Sequence, residues 1–429
     1  MEGKLVVCIV IFVLSLISYA LNKIPMAITA LGTMAALILT GCLDGATAMS
    51  GFANTNMAII VGMFVIAAGF NRTQFVDKLT VKIAKLAGGS YKRAYMYSLI
   101  LMIVLTSLLN SASVALVIVL PLYAAMCKQF DVSPSKGVFG LFVLSVGCSG
   151  VLPFGTAVML TGQFNGFFET YGFTDVAVSP MTFTIGRLPV IAILFVWAYF
   201  ILPKFAPDKP PVPITGDESS KKTKVPLKPF QETMGYVLFF GSVLLMIFGS
   251  KIGISAWQVC LVGAVLEVAL GVLTEKEAIN AMPISIAMMF AGALAMGNAL
   301  TATGAAQVVG DWLAAIVGGT HNNYVLAALF FIVPFALTQF MLNQAVTNIF
   351  VPIMLLTMQS LGGNPVGLSV LIPSACMTAF LTPMATAGVP IAMAWGGYDI
   401  KSLFKQGWLI SLILAVFYIF YTLTVLPAF

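Results

Sequence analysis

Charge is scarce in this sequence. Of 429 residues only 8% are Asp, Glu, Lys or Arg, against 60% apolar residues and a mean hydropathy of +1.03. Soluble domains carry roughly 25% charged residues, so this composition excludes them and indicates a polytopic membrane protein. Histidine occurs once, at His321 in a polar loop, which leaves no ligand set for a transition metal and no basis for Ser-His chemistry. It reads as a solvated loop residue. The six cysteines, Cys8, Cys42, Cys127, Cys148, Cys260 and Cys376, stand singly in or beside apolar blocks. Without CxxC spacing they form neither a redox pair nor a thiolate metal site, and they read as packing residues. An intramembrane hydrolase needs paired aspartates, a Ser-His pair or a zinc motif inside apolar segments; none is present, so the chain reads as no enzyme and as lacking a cofactor.

What is present begins with the distribution of the few charges. The net charge is +6, yet the basic residues sit in short segments between apolar blocks, as in cytoplasmic loops. Nucleic acid is therefore not implied. The 23 methionines read as adaptable packing. Lys4, an apolar stretch and the triplet Ser18, Tyr19, Ala20 imitate a secretory signal. An internal repeat argues instead that 4–21 is the first span.

Displacing the chain against itself by about 230 residues aligns ILTGCLDGATAM (38–49) with VALGVLTEKEAINAM (268–282), and Gly88-Gly89 with Gly318-Gly319. Further on, Leu120-Pro121 is echoed by Val351-Pro352, and LPFGT (152–156) by TPMAT (382–386). The expected organisation is repeat one over 1–203, a Pro- and Lys-rich linker over 204–229, and repeat two over 230–429.

Each repeat contains a charge-free block that does not fit one helix. The block 94–127 is too long for an ordinary span of about 20 residues and too short for two spans with a turn. A re-entrant hairpin fits, with a polar tip tolerated because it is buried in protein or lines a wet cavity. Each repeat then crosses the membrane five times, so the second lies inverted. The expected fold is an all-α polytopic membrane protein of two inverted-topology repeats of five spans, each with a re-entrant helical hairpin and a broken helix. With both termini outside and the linker cytoplasmic, every basic residue except Lys4, Arg187 and Lys251 lies inside. Arg187 is expected near the outer end of the last span of repeat one.

Such a fold builds its site from half-helix N-termini, which attract anions, and from loosened carbonyls and hydroxyls, which hold cations. The candidates are the first tip, Asn110, Ser111, Ala112 and Ser113, and the second tip, Asn343, Gln344 and Ala345. The broken spans at 153–157 and 383–388 add Thr156 and Thr386, and Ser107 and Thr338 place hydroxyls just before each tip. The bland alternative is that small polar residues pack helices or bond back to their own backbone. Neither tip nor either break contains Lys, Arg, Asp or Glu in sequence, so an anion is expected to rely on dipoles, neutral donors and a co-bound cation. Glu267, the one acid inside an apolar span, is expected near a span end as a snorkelling or packing residue.

The order of elements, the hairpin-tip motif ending in Pro, and the later PFGT and PMATAG resemble the divalent anion:sodium symporter family, within a superfamily that includes arsenite and citrate carriers. The likeness covers nearly the whole chain. That family has a Ser-Asn-Thr tip in each repeat, which falls here on Ser111-Ala112-Ser113 and on Leu342-Asn343-Gln344. The first tip has Ala112 in place of the asparagine, and the second lacks both hydroxyls. The resemblance implies an elevator-type homodimer that carries a small divalent anion such as a dicarboxylate, coupled to Na+. It implies sodium ligands at Ser107, Ser111, Gly155, Thr338, Asn343 and Ala387. A sodium-independent exchanger, a proton-coupled permease and an anion channel stand as alternatives. The stretch 73–89 reads as an amphipathic interfacial helix on the cytoplasmic surface.

Overall fold

In the computed structural model of the chain the described residues are 2–21, 23–75, 78, 90–109, 111–214, 227–248, 253–305, 308–309, 321–339, 343–382, 385–386 and 388–429. Asn110, Ala387, the side chain of Ala345, the middle of the linker and most of the amphipathic stretch lie outside them. Among the described residues the structure is helical, with no strand.

The first half runs α1 (Glu2–Leu21), α2 (Met26–Leu39), α3 (Gly45–Met49), α4 (Thr55–Arg72), α5 (Tyr91–Leu108), α6 (Ala112–Gln129), α7 (Val138–Gly147), α8 (Gly155–Thr170), α9 (Pro180–Arg187) and α10 (Pro189–Val196). The second half repeats that order as α11 (Pro229–Phe248), α12 (Ala256–Ala269), α13 (Glu275–Ala281), α14 (Ile284–Thr303), α15 (Asn323–Thr338), α16 (Asn343–Leu361), α17 (Val366–Cys376), α18 (Gly388–Gly396) and α19 (Ile400–Val425). Local chemistry starts these helices. Asp44 accepts from the Thr47 amide at 2.9 Å ahead of α3, and Thr274 and Glu277 form a capping box ahead of α13. Ser179 with Thr182 and Asp399 with Ser402 do the same for α9 and α19. Pro189 cannot donate an amide hydrogen bond, and the chain bends by 47° between α9 and the segment Pro189–Lys204.

Among the described residues four helical segments are long and apolar enough to cross a membrane: Gly45–Arg72, Ala112–Gln129, Ile284–Thr303 and Ile400–Val425. The bent pair makes a fifth. Shorter apolar helices include Val138–Gly147, Asn323–Thr338 and Val366–Cys376, which flank the tips and breaks. The block 94–127 is resolved into α5 and α6, which extend beyond it to Tyr91 and Gln129. These two pack antiparallel as a hairpin: Tyr91 near the start of α5 lies 2.8 Å, hydroxyl to hydroxyl, from Tyr123 near the end of α6.

The halves grip each other through glycine. A Cβ on Gly62 of α4 would lie 2.6 Å from the Cys260 carbonyl oxygen of α12, and one on Gly292 of α14 would lie 2.6 Å from the Ala30 carbonyl oxygen of α2. Both contacts recur at the repeat displacement of about 230 residues, and small residues are what lets helix backbones approach this closely in lipid.

Loop contacts fall into two sets. In one, Arg72 pairs with Glu277 at 3.3 Å, Lys78 with Glu232 at 3.6 Å and Lys136 with Asp208 at 3.0 Å, while Ser135 donates to the Gly396 carbonyl at 2.6 Å. In the other, Asn54 donates to Glu169 at 3.3 Å, the Asn364 amide to the Ala428 carbonyl at 2.8 Å, and the Ala428 amide to Asn323 at 3.1 Å. Helix α19 runs from the first set at Asp399 to the second at Val425. The outer ends of the α5–α6 hairpin belong to the first set, and those of α15–α16 to the second.

Candidate functional site

Each half brings a hairpin tip to a broken helix, but the two halves are wired differently. In the second half the Thr338 hydroxyl, fully buried at the end of α15, donates to Asn343 Oδ1 at the start of α16 at 2.8 Å. It also makes a long contact of 3.5 Å with the Cys376 carbonyl, the last of α17. Gln339 completes the link: its Oε1 accepts from the Leu381 amide at 3.1 Å, and its backbone carbonyl accepts from the Thr382 hydroxyl. Thr347 donates to the Asn343 carbonyl at 2.9 Å. The tip and the break are thus joined by neutral oxygen-bearing groups. A cavity of about 670 Å³ opens beside them, lined by Gln339, Thr382, Lys401, Lys405, Phe404 and Trp408 among others.

In the first half Ser107 is buried but donates to the Ile103 carbonyl one turn back, at 2.7 Å. This is the bland outcome for a small hydroxyl in a helix. Its neighbour Thr106 reaches across to the Ser145 carbonyl of α7 at 2.5 Å. Ser111 caps α6, accepting from the Val114 amide at 3.4 Å. Ser111, Ala112, Ser113, Asn343 and Gln344 are all half-buried, so both tips present small polar groups to space that apolar packing does not fill. At the first break the chain leaves α7 at Gly147 and re-enters helix at Gly155, and Ser149 and Thr156 bond hydroxyl to hydroxyl at 3.0 Å. Gly150 and Gly155 take positive φ there, of 67° and 43°, a conformation costly for a side chain. At the second break the Thr386 hydroxyl accepts from the Gly388 amide at 3.2 Å, capping α18.

The structure therefore brings Thr338 and Asn343 into contact, and Thr156 to Ser149. It does not join the first tip to the second: among the described residues no hydrogen bond runs from Ser111 or Ser113 to Asn343 or Gln344. A link between the halves at the second tip is one that the sequence patterns missed. Gln163 of α8 and Gln344 both donate to Asn348 Oδ1, at 3.3 and 3.5 Å. Gln163 and Asn348 are buried, and a buried amide on an otherwise apolar helix was the available signal.

One expectation is corrected and one is narrowed. Arg187 is not at the outer end of a span: it is fully buried at the first break, donating to the Ser149 carbonyl at 2.8 Å, the Gly147 carbonyl at 3.2 Å and the Tyr418 hydroxyl at 3.3 Å. A positive charge therefore does stand at a broken span, held there because the last carbonyls of α7 lack helical partners. Of the two readings of Glu267, packing stands and snorkelling does not. It is fully buried on α12 against Gly69, with neither carboxyl oxygen hydrogen-bonded among the described residues.

Apolar helices, broken spans and polar hairpin tips define a multi-pass membrane transport protein. The profile described as citrate transporter (CitMHS) matches residues 9–372 and 236–428, and the chain belongs to that family. An uncharacterized transporter of Haemophilus influenzae is 25% identical over 92% of this chain and 86% of its own length. The sodium-dependent dicarboxylate transporter SdcS of Staphylococcus saprophyticus is 23% identical over 91% of this chain and 80% of its own. The chloroplastic dicarboxylate transporter 1 of Arabidopsis thaliana is 25% identical over 74% of this chain, which spans 58% of that protein. In fold the chain is similar to MtrF of Neisseria gonorrhoeae, described within a class of antimetabolite efflux pumps, with a TM-score of 0.60 and 14% identity over 99% of this chain and 96% of MtrF. Family and relatives are transporters rather than enzymes, in agreement with the resemblance to the divalent anion:sodium symporters.

Proposed function

We propose that this chain is a secondary carrier of a small divalent anion such as a dicarboxylate, coupled to Na+ and working as an elevator-type homodimer. The observation that carries this reading is the second half-site, where Thr338 bridges Asn343 and the end of α17 with neutral oxygens. Hard monovalent cations take carbonyl, amide and hydroxyl ligands of this kind. The anion would lie between the tips, at Asn110, Ser111, Ala112, Ser113, Asn343, Gln344 and Ala345, with Thr156 and Thr386 from the breaks. Helix N-termini at Ala112, Gly155, Asn343 and Gly388 supply amide dipoles for it. Sodium would take Thr338 and Asn343, which are in hydrogen-bond contact; the family resemblance further implies Ser107, Ser111, Gly155 and Ala387 as ligands. The printed names of relatives from Staphylococcus and Arabidopsis support a dicarboxylate.

The proposed arrangement is two inverted repeats, 1–203 and 230–429, with linker 204–229 in the cytoplasm and both termini outside. The segregation of loop contacts supports it, since Arg72, Lys78 and Lys136 fall in one set. A proton-coupled carrier has one observation in its favour, the unpartnered Glu267. The test is uptake of labelled succinate, citrate, tartrate and sulfate into liposomes holding the purified chain, with and without an inward sodium gradient. Sodium-driven uptake of a dicarboxylate is expected; uptake indifferent to sodium but driven by a pH gradient and lost in Glu267→Gln would replace this reading with the proton-coupled one.

A further inference from the structure

The two breaks are equivalent in the chain, but among the described residues a guanidinium binds the first and neutral groups bind the second. Helices α7 and α17 end at Gly147 and Cys376, each the last helical residue before its break. Terminal carbonyls of a helix lack intrahelical donors and carry the negative end of its dipole. In the first half the Gly147 carbonyl is bound by the Arg187 guanidinium, which also holds Ser149. In the second, among the described residues, the Cys376 carbonyl meets only the neutral Thr338 hydroxyl, at 3.5 Å.

The origin of the difference is visible in the closing helices. Helix α9 follows the capping residue Ser179 and α19 follows Asp399, each with a capping box. Counted from those caps, Arg187 of the first half corresponds to Gly407 of the second. A Cβ on Gly407 would already lie 2.9 Å from Leu381 and 3.5 Å from the Phe380 carbonyl oxygen. Gly407 itself offers no side chain, so no cation is delivered from that position. The hairpin hydroxyls follow suit. Thr338 points to the break carbonyl of its own half, whereas its counterpart Ser107 is turned back onto Ile103. Arg187 has no carboxylate partner among the described residues, and its remaining contacts are with Tyr418 and the Met377 sulfur at 3.3 Å, the latter just past the end of α17. A buried cation without a counter-ion is expensive unless fixed dipoles and hydrogen bonds hold it. Here the carbonyls at the α7 terminus do so.

We propose that Arg187 is the resident cation of the first half-site, so that the mobile coupling cation binds only the second, at the Cys376 carbonyl, Thr338 Oγ1 and Asn343 Oδ1. This deepens the sodium-coupled reading and rests on it. It also removes Ser107, Ser111 and Gly155 from the sodium ligands. A single mobile cation then enters with each anion, and the fixed guanidinium supplies the second positive charge in the field of a dianion.

The experiment uses the purified full chain in liposomes. Initial succinate uptake is followed against external sodium, with choline as replacement, and the thermal stability of the same protein is titrated with sodium chloride against choline chloride. The wild type is expected to show a first-order, hyperbolic sodium dependence and a sodium-specific stabilisation that Thr338→Val removes. Arg187→Gln frees the Gly147 and Ser149 carbonyls and is expected to make the dependence sigmoidal, while Arg187→Lys keeps it first-order. A sigmoidal curve in the wild type overturns the proposal, as does a folded Arg187→Gln that stays hyperbolic. If Arg187→Gln does not fold, the wild-type curve and Thr338→Val decide. Succinate uptake indifferent to sodium overturns the sodium-coupled reading itself. If no anion is taken up, the sodium stabilisation still decides: sensitivity to Thr338→Val supports the single site, and its persistence in that variant overturns it.

Discussion

At the scale of the residue, two hydroxyls that look equivalent in the sequence have different partners. Ser107 satisfies its own helix through Ile103, so removing it leaves no buried acceptor at the site without a partner. Thr338 is the donor to Asn343 and the approach to Cys376, and its loss strands both oxygens. Leaving a buried polar group unpaired costs about 1–3 kcal/mol, which is roughly tenfold or more in binding. Ser107→Ala is therefore expected to transport within about twofold of wild type, and Thr338→Val to raise the sodium concentration for half-maximal uptake by roughly tenfold or more. Equal losses in the two variants would show that both hydroxyls serve the site directly. The sequence could not separate them, because a serine one helical turn from a carbonyl and a threonine across from a break are written with the same kind of letter. Arg187 differs from its sequence expectation for a related reason: hydropathy places a charge at the edge of a span, and only the fold supplies the carbonyls that let it stay inside.

At the scale of the element, the glycine crossings α4–α12 and α2–α14 hold the halves together. Gly62 and Gly292 face backbone atoms that cannot rotate away, at 2.6 Å from a would-be Cβ. Gly241 on α11 has nothing within 4 Å. Overpacking costs about 1–3 kcal/mol and here also pushes helices apart. Gly62→Val and Gly292→Val are each expected to lower the unfolding temperature in detergent, whereas Gly241→Ala leaves it unchanged or raises it, since Ala favours helix by about 0.5–1 kcal/mol. If Gly62→Val melts like wild type, the close crossing is not a determinant of stability. Much of this level was legible beforehand. The hairpins and the breaks near LPFGT and TPMAT followed from interrupted apolar runs and the repeat. The hairpin arms run past the charge-free block 94–127 to include Lys92, Arg93 and Lys128, because basic residues at a helix end reach the interface along their aliphatic stems.

At the scale of the whole molecule, the two sets of loop contacts turn sidedness into a measurable property. Lys209 belongs to the segment that runs from Lys204 past Asp208, the partner of Lys136. Asp175 lies on the far side, between Glu169, the partner of Asn54, and the cap of α9. Both are exposed, and all six native cysteines are buried, so the background for thiol labelling is low. The basic set carries Arg72, Lys78 and Lys136, and loops rich in Lys and Arg stay in the cytoplasm. In intact cells a membrane-impermeant maleimide is expected to label Asp175→Cys and not Lys209→Cys, with Lys209→Cys becoming reactive only when the membrane is permeabilised. The reverse pattern would invert the proposed orientation. Labelling of both in intact cells would mean that the two sets do not lie on opposite faces, and with that the antisymmetric placement of the hairpins, one entering from each side, would fall.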